Sequence, residues 1–464
     1  MPGRRTVQSS NDEADPAPRA PRPERVVRRE LLRALGGVAA APFRFVAFLP
    51  RQRALLERVR AELAYSAEPV EPAPCALPAR PLRVFVSCAE PSGEEHALRL
   101  VRRLRERAAA WGGPAPELVG LGGARLAAEG VRIVGDPVRR AAMGSDVLRS
   151  LAFYRALLVD AAREISDRRP DVVVPVDSPA LHVPLGRIAR RYGVPVVHYI
   201  TPQYWGWAPW RVHGYRRAVD LALSILPFEA PWFRRHGVPT IEVGHPQSDV
   251  LADVPAPDDR ARRTLCLLPG SRTGVIARNL PFLLRVVARM RREVPDLEAV
   301  IPHERPELAP EIEALVRADP SGAGVLIRAG DLHAELARAR IALSVSGTVL
   351  LDLLHHRLPM VAVYQAKNRY LHRLQRRLLT VPWFASVNLL AGEEVVPEFT
   401  YHGQGPVEEV AAHLLRWYKD AQERARTRGV LEAAARRLGP AGAAGRAAGH
   451  VLRTAVLGKP APTP

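Results

Sequence analysis

Short apolar runs alternate with longer arginine- and alanine-rich stretches from residue 82 onwards. The runs are rich in Val, Leu and Ile without polar alternation, which is typical of strands buried on both faces of a parallel sheet. The stretches between them carry apolar residues at helical spacing. The pattern predicts strands at residues 83–87, 117–120, 172–176, 194–199, 221–225, 240–243, 264–268, 297–301, 324–328, 341–344 and 360–363.

This alternation occurs twice, and the Pro- and Asp-rich stretch DVPAPDDRARR separates the two series near residue 257. We therefore predict an α/β protein with two tandem doubly wound Rossmann-like domains, residues 82–256 and 257–430, before a C-terminal helix and tail at 431–464. Ligands of such sheets bind at the carboxyl ends of strands, near the point where the strand order reverses. Two such edges that face each other would form a cleft.

The arm ahead of these domains, residues 25–65, has a different pattern. Val27, Leu31, Leu35 and Val38 recur at helical spacing, and arginines occupy the other faces. This predicts a basic amphipathic helical arm. Such an arm can lie on an anionic membrane surface or pack on its own domain or on a partner subunit, and the pattern leaves both interpretations open.

Two further segments lack a core-forming pattern. Residues 1–24 are rich in Pro, Arg and Ser, which predicts a disordered tail. Residues 66–81, SAEPVEPAPCALPARP, form a Pro-rich linker. The chain has no apolar stretch with the features of a signal peptide, and none of about 18 residues that would span a membrane.

Composition narrows the class of partner. The 464 residues include 67 Lys+Arg against 48 Asp+Glu, a net charge of +19 that favours anionic lipid or phosphorylated substrates unless it reflects compositional bias alone. No zinc finger, RNA-recognition signature or aromatic-interleaved basic stripe indicates nucleic acid. Cys75, Cys88 and Cys266 lie far apart, which suits a reducing cytoplasm. No metal or cofactor motif occurs.

One candidate site follows the strand at 341–344, where an apolar run stops at Ser346-Gly347-Thr348. The glycine allows a ligand close to the backbone, the hydroxyls add donors, and a helix that begins here favours phosphate. Asp352, one turn later, can accept hydrogen bonds from a ribose diol. The set suits a nucleoside diphosphate, although an ordinary helix N-cap has the same pattern.

A second loop in this domain, LLPGSR, follows the strand at 264–268. Gly270 and Ser271 permit a turn, and Arg272 can offer two parallel hydrogen bonds to a diphosphate. A β-turn with a surface arginine is the alternative. Two such loops at strand ends of one domain favour a shared ligand.

The first predicted domain has its own Gly- and Ser-containing loops. The strand at 83–87 runs into Glu90, Ser92 and Gly93, followed by His96 on a helix. The stretch GLGGARL places Arg125 after the next strand. Neither loop has the spacing of a dinucleotide fingerprint, so no dinucleotide is predicted.

Asp177 ends the buried strand at 172–176, directly before Ser178-Pro179. A carboxylate in that place would face the cleft and could act as a general base if burial raises its pKa, although it could also be a helix N-cap. The stretch HYITPQYWGWAPWR contains Trp205 among several aromatic residues. These aromatic side chains form either a hydrophobic lid or part of the core.

Taken in order, these motifs resemble the lipid-A-disaccharide synthase family of inverting glycosyltransferases with two Rossmann-like domains, the GT-B fold. The resemblance covers residues from about 82 to about 455. The motifs that carry it are Glu90-x-Ser92-Gly93-x-x-His96, GLGGARL, Met143-Gly144, Pro170-Asp171 leading to Asp177-x-Pro179, HYITPQYWGW, Pro227-Phe228-Glu229, GHP at 244–246, LLPGSR, Ser346-Gly347-Thr348 and VNLLAGEEVVPEF.

The resemblance implies residue roles. Asp177 matches the essential acid, with Glu90 and Arg272 beside it as catalytic candidates. The resemblance also implies two sets of binding residues. Those that bind the UDP-sugar are Gly270, Ser271, Arg272, Ser346, Gly347, Thr348, Asp352, Asn388 and Glu394. Those on the acceptor side are Ser92, Gly93, His96, Arg125 and Trp205.

It also implies the reaction: a 2,3-diacylglucosamine unit passes from its UDP derivative to 2,3-diacylglucosamine 1-phosphate, without a metal or cofactor, at the inner face of the cytoplasmic membrane. An oligomer stays possible. The chain departs from the family pattern at Ala89, Pro91, Glu94, Ala180 and Tyr401. A paralogue with another lipid or glycan acceptor, a non-catalytic UDP-sugar-binding protein and a UDP-sugar epimerase are the alternatives.

Overall fold

The computed structural model describes residues 21–65, 68–142, 147–252, 263–366 and 377–458. The motif Met143-Gly144, most of the predicted tail and the predicted domain boundary at 256 lie outside these ranges. The strands, β1 to β13, are Arg83–Ser87, Glu117–Leu121, Arg132–Gly135, Val172–Pro175, Val197–Tyr199, Leu221–Ser224, Thr240–Glu242, Thr264–Leu268, Ala299–His303, Val325–Ala329, Ala339–Val345, Met360–Gln365 and Glu398–Tyr401.

The helices pack against the two sheets. In chain order α1 to α19 are Pro23–Ala39, Ala41–Phe48, Gln52–Leu63, Pro91–Ala110, Ala124–Ala128, Pro137–Ala142, Val147–Arg168, Pro179–Arg191, Val212–Tyr215, Glu229–Arg235, Pro246–Leu251, Thr273–Arg291, Ala309–Ala318, Leu332–Arg338, Val349–His355, Ser386–Ala391, Val407–Lys419, Ala421–Arg436 and Ala443–Leu457.

The N-terminal sheet is parallel throughout its described strands. Its first part has the order β3-β2-β1-β4, and β5-β6-β7 follows. Single bridges from Val173 to Val196 and from Val176 to Tyr199 join β4 to β5. The strand order therefore reverses between β1 and β4, which is the switch point of a doubly wound sheet.

The C-terminal sheet repeats this arrangement. Its described strands are parallel in the order β10-β9-β8-β11-β12-β13, so the reversal falls between β8 and β11. A core of Leu, Ile and Val side chains lies between this sheet and α12, α13 and α17. The prediction of an α/β protein with two Rossmann-like domains is confirmed.

Two edge strands, β3 and β13, were not predicted. Arg132–Gly135 and Glu398–Tyr401 are only partly buried, because each pairs on one side alone. An edge strand needs no continuous apolar run, so the pattern that identified the central strands is missing there. The predicted central strands differ from the observed ones by a few residues at their ends.

The C-terminal end of the chain returns to the first domain. The predicted boundary at residue 430 falls inside α18, and α19 packs on α4 through Ala447, Ala448, Val451 and Leu452. Asp249 accepts hydrogen bonds from the first backbone N–H groups of α19, at 2.5 to 3.0 Å. The last helix therefore belongs to the core of the N-terminal domain.

The predicted helical arm forms three helices. Val26 and Val27 of α1 are buried in the core that contains α7 and α8. Val59 and Leu63 of α3 join a core cluster that contains residues of both domains. The described part of the linker is fixed in place at Val70. Its N–H donates to the Glu242 carbonyl of β7, and its carbonyl accepts from His450 Nε2 of α19.

Candidate active site

Four of the loops singled out in the sequence lie at the two switch points. Glu90 follows β1 and Asp177 follows β4, while Arg272 follows β8 and Gly347 follows β11. The two edges face each other, since the Arg272 Nη2 and Glu90 Oε2 atoms are 3.8 Å apart. The fold therefore brings these candidate residues together in one cleft between the two sheets.

Asp177 occupies a strained turn between β4 and α8. Its φ is 56° and that of Ser178 is 43°, both in the left-handed region that non-glycine residues rarely adopt. The N-cap of α8 is Ser178, so the capping alternative for Asp177 does not hold. Burial raises the pKa of the Asp177 carboxyl, and the nearby Glu90 charge adds to the rise, against a hydrogen bond from the Ser178 N–H.

Two buried histidines hold the backbone carbonyl of Asp177. Its oxygen lies 2.5 Å from His182 Nδ1 and 2.9 Å from His198 Nε2. A carbonyl only accepts, so each of these ring nitrogens carries a proton. His182 Nε2 then accepts from the Ser87 hydroxyl at 2.9 Å. Burial lowers the pKa of His182 to about 3 and that of His198 to about 4, which keeps both rings neutral.

This histidine pair was not predicted from the sequence. Each residue had only its position as a signal: His182 lies one turn into the helix after Asp177, and His198 lies on the strand next to it. A lone histidine in an apolar segment does not reveal which backbone group its ring will contact. The pairing depends on the tertiary approach of β5 and α8 to the same turn.

The acceptor-side candidates on α4 are close to this turn. Ser92 is exposed at the start of the helix, and a side chain at Gly93 would meet the Val176 carbonyl at 3.6 Å. Burial, followed by the charge of Arg99, lowers the pKa of His96 to about 4. His96 is therefore a neutral ring at neutral pH, placed in the first domain as predicted.

Arg125 lies at the surface and pairs with a carboxylate of α4. Its Nη2 atom is 2.5 Å from Glu95 Oε2, and 60% of the arginine side chain is exposed. The loop before it is fixed by Glu94, whose Oε1 atom accepts from the N–H groups of Gly123 at 2.9 Å and Leu126 at 3.3 Å. Glu94, one of the positions where the chain departs from the family pattern, ties α4 to the start of α5.

Trp205, predicted to be an acceptor-side residue, is buried in a structural cluster. Only 2% of its surface is exposed, its ring packs edge-on against Phe228, and its Nε1–H donates to Glu229 Oε1 at 3.0 Å. Glu229 also accepts from the N–H groups of Ile225 and Leu226. The aromatic stretch supplies a buried structural cluster at this position, while Trp207 is 49% exposed.

Two arginines meet at the loop after β8, one from this loop and one that follows β9. Gly270 has a φ of 116°, which requires glycine, and Arg272 stands 77% exposed directly before α12. Arg305, which follows β9, donates from Nη1 to the Ser271 carbonyl at 3.2 Å. Arg305 was not predicted as a site residue, although its position directly after the central strand β9 was a usable signal. The pair favours an anionic ligand.

The loop after β11 leaves room above its backbone. A side chain built on Gly347 would meet nothing within 4 Å. Thr348 is the N-cap residue of α15, in a helical conformation, but its side chain makes no capping hydrogen bond. The Ser346 hydroxyl donates to the Phe384 carbonyl at 3.4 Å. The space and the adjacent N–H groups suit a phosphate group.

Asp352 is buried at the junction of the domains. Its Oδ1 atom accepts a short hydrogen bond from Gln247 Nε2, and the Gln247 N–H donates to His245 Nδ1 at 3.0 Å. Burial raises the pKa of Asp352 to about 6. The carboxylate predicted to bind a ribose is thus hydrogen-bonded to Gln247 of α11 in this structure.

Asn388 and Glu394, the other predicted donor-side residues, differ from each other. Asn388 is completely buried: its oxygen accepts from the N–H groups of Val395 and Val396, and its nitrogen donates to Val396 and Glu398. Its side chain is fully used within the protein, so direct ligand binding is not supported. Glu394 is exposed. Asn388 instead shapes the loop that carries Glu394.

Two negative findings concern the described residues. No group of three or more His, Cys, Asp or Glu side chains among them is arranged to hold a metal ion. No single helix in these ranges is long and apolar enough to cross a membrane, whereas α1 and the run Ala41–Leu63 meet that criterion together across a 46° bend.

The comparison with known proteins gives a family match over most of the chain. The model of the family described as Lipid-A-disaccharide synthetase matches residues 84–438. Lipid-A-disaccharide synthase of Myxococcus xanthus is 35% identical over 388 residues, which cover 80% of this chain and 97% of that protein. This chain belongs to the lipid-A-disaccharide synthase family.

Other relatives agree with this assignment. The synthase of Alkalilimnicola ehrlichii is 34% identical across 81% of this chain and 99% of its own. The S. aureus MnaA–UDP co-structure has a TM-score of 0.52 at 13% identity, covering 78% of this chain and 94% of that one, a likeness that concerns the fold alone. The synthase family model begins at residue 84, so the helical arm lies outside the match.

Proposed function

We propose that this chain transfers a 2,3-diacylglucosamine unit from its UDP derivative to 2,3-diacylglucosamine 1-phosphate, forms the lipid A disaccharide and releases UDP. The observation that carries the proposal is the meeting of the two switch points, with Arg272 and Glu90 3.8 Å apart across the cleft. Membership of the synthase family supports the choice of substrates.

Asp177 is proposed as the general base. The acceptor hydroxyl gives its proton to the Asp177 carboxylate while its oxygen bonds to the anomeric carbon of the donor. The bond from that carbon to the diphosphate oxygen breaks, and the electron pair leaves with UDP. The raised pKa of Asp177 makes it a stronger base than an ordinary aspartate, and the histidines on its carbonyl fix its position.

The C-terminal loops are proposed to bind the UDP diphosphate. Arg272 and Arg305 bring positive charge to the turn after β8, and the open backbone at Gly347 brings N–H donors. Negative charge grows on the diphosphate as it leaves, so these groups stabilise the transition state more than the bound donor. Glu90 orients Arg272 across the cleft.

The reaction is proposed to take place at the inner face of the cytoplasmic membrane. Both proposed substrates carry two acyl chains, which partition into lipid. The net charge of +19 favours an anionic surface. The enzyme would then act as a peripheral protein that takes both lipids from the bilayer.

The test uses purified full-length protein in detergent micelles with the diacyl UDP-sugar and the diacyl sugar phosphate. We expect stoichiometric release of UDP and a disaccharide 1-phosphate product identified by mass spectrometry. Release of UDP without disaccharide, or transfer from an unacylated donor alone, would contradict the proposed substrates.

A further inference from the structure

The helical arm exposes a predominantly apolar segment, residues 32–46, which we call the overhang. Of the fourteen large apolar side chains exposed among the described residues, five lie in the overhang, namely Leu32, Leu35, Val38, Phe43 and Val46. The most prominent are Val38 at 72%, Phe43 at 78% and Val46 at 66% exposed. Exposed apolar patches of this kind mark interaction sites.

The overhang is held between two anchored points. On its N-terminal side, Val26 and Val27 are buried against the first domain. On its C-terminal side, Phe48 is 5% exposed and packs edge-on against Trp210, with ring centroids 5.1 Å apart. Side chains built on the glycines between these points, at 36 and 37, would meet nothing within 4 Å. The segment between the anchors therefore projects from the protein.

Positive charge surrounds the overhang. Between Pro23 and Leu63 the chain has nine arginines and four glutamates. Three of those glutamates form ion pairs with arginines outside the arm: Glu24 with Arg163, Glu30 with Arg187 and Glu62 with Arg235. Much of the negative charge of the arm is thus neutralised by the domains, and its own arginines leave a cationic surface.

Exposed arginines alternate with the apolar side chains. Arg28, Arg29 and Arg33 precede the overhang's apolar residues or lie among them, and Arg44 follows Phe43 directly. Arginine stems can extend along the apolar surface while their guanidinium groups reach the level of phosphates. Bulky apolar tips with flanking arginines are the composition of helices that lie in a membrane interface.

The undescribed N-terminal residues are poor candidates to cover this surface. MPGRRTVQSSNDEADPAPRA contains few bulky apolar side chains, whereas the overhang presents several. Charge complementarity argues instead for an anionic, apolar partner, and a bilayer with anionic headgroups offers both properties.

We infer that the overhang inserts its apolar side chains into the surface of an anionic lipid bilayer, with Phe43 and Val46 deepest. The inference rests on the proposed function only in assuming that the substrates lie in a membrane. Because the synthase family match begins at residue 84, this membrane contact belongs to the extension of this chain.

Because α1 and α3 are fixed to the domains, the contact between the overhang and the bilayer also has a defined orientation. α1 is fixed to the first domain, while α3 contacts both domains: Glu62 pairs with Arg235, and the Leu63 carbonyl accepts from Arg437 at 2.8 Å. Gln52 Nε2 also donates to the Leu379 carbonyl at 2.7 Å. A bilayer bound at the overhang would therefore be held in a set orientation to the cleft.

The experiment compares full-length wild-type protein with F43S/V46S on vesicles of phosphatidylcholine, with and without phosphatidylglycerol. L326S/V430S is the matched control, since both residues are exposed apolar side chains elsewhere, each 40% exposed. We expect F43S/V46S to lose at least about tenfold in vesicle partitioning, and the control less than about twofold. R28Q/R29Q should weaken binding to the anionic vesicles only.

The same samples are assayed for UDP release in detergent micelles, where no bilayer is needed. Lost vesicle binding with unchanged turnover in F43S/V46S supports the inference, and absent wild-type turnover would contradict the proposed function alone. Equal partitioning of wild type and F43S/V46S would overturn the inference. A wild-type dimer that becomes a monomer in F43S/V46S, with vesicle binding unaltered, would also overturn it and assign the overhang to a second copy.

Discussion

The two switch points of the molecule are built in opposite ways. The turn at Asp177 is closed: two buried histidines contact its carbonyl, and its backbone is strained. The loops after β8 and β11 are open, with Arg272 77% exposed and free space over Gly347. One sheet edge provides a fixed, desolvated carboxylate, and the other provides accessible donors.

The difference corresponds to the chemistry proposed for each edge. A general base needs a raised pKa and a fixed position, and burial provides both. A diphosphate brings its own charge and oxygens, so its site must keep N–H groups and cations available until it binds. The account therefore predicts that changes at the closed edge affect the chemical step alone, and that changes at the open edge affect both the rate and the affinity for UDP.

Asp177→Asn should have the largest effect. The asparagine keeps the size of the side chain but cannot take the proton, so we expect kcat to fall about 10²- to 10⁴-fold. UDP affinity, measured by calorimetry, should stay unchanged. D160N, an exposed acid on α7, is the control. A D177N enzyme with wild-type kcat would contradict the proposed difference between the two sheet edges.

Arg272→Gln should come next, at the open edge. Loss of one donor to the leaving diphosphate typically costs about 10²- to 10³-fold in rate, and here UDP affinity should fall as well. R317Q, on the exposed face of α13, should change neither quantity. If R272Q bound UDP like the wild type, the diphosphate would not lie at this loop.

His182→Leu tests how the closed edge is held. The rate should rise with pH through the raised pKa of Asp177, because only the carboxylate accepts the proton. Without His182 the turn admits water, so that pKa should fall, the acid limb should move to lower pH, and kcat should drop about tenfold. S87A, which removes the donor to His182, should act in the same direction with about a threefold loss. A merely destabilising change would lower the melting temperature without moving the acid limb.

Trp205→Phe should have the smallest effect on turnover. It removes the donor to buried Glu229, so we expect a loss of about 1–3 kcal/mol in the free energy of unfolding with KM for the acceptor unchanged. Chemical denaturation and steady-state kinetics measure the two quantities. A raised acceptor KM at full stability would support the predicted acceptor-side role of Trp205 instead.

The sequence predicted the positions of the loops better than the roles of individual side chains. Central strands such as Thr264–Leu268 are continuous apolar runs, so the sheets and their carboxyl ends could be located, and Asp177 and Arg272 follow from that. The first helix, α1, begins at Pro23, inside the segment 1–24 that was predicted to be a disordered tail. The residue limits of the two domains stay predictions.

Side-chain roles depend on contacts that no local pattern encodes. Asn388 and Trp205 occur within motif stretches, yet both are used up in internal hydrogen bonds. His182 and Arg305 carry no motif, yet tertiary packing brings them to the Asp177 turn and the Ser271 loop. A sequence motif therefore identifies a loop, and only the fold separates the residues that face the ligand from those that hold the loop.

The most direct test of the central claim is the crystal structure of this chain with UDP bound. The account predicts a diphosphate within about 3 Å of the backbone N–H groups around Gly347 and of the Arg272 guanidinium, with the Asp177 carboxylate facing it across the cleft. UDP bound to the N-terminal sheet, or Asp177 turned away from the cleft, would contradict the account.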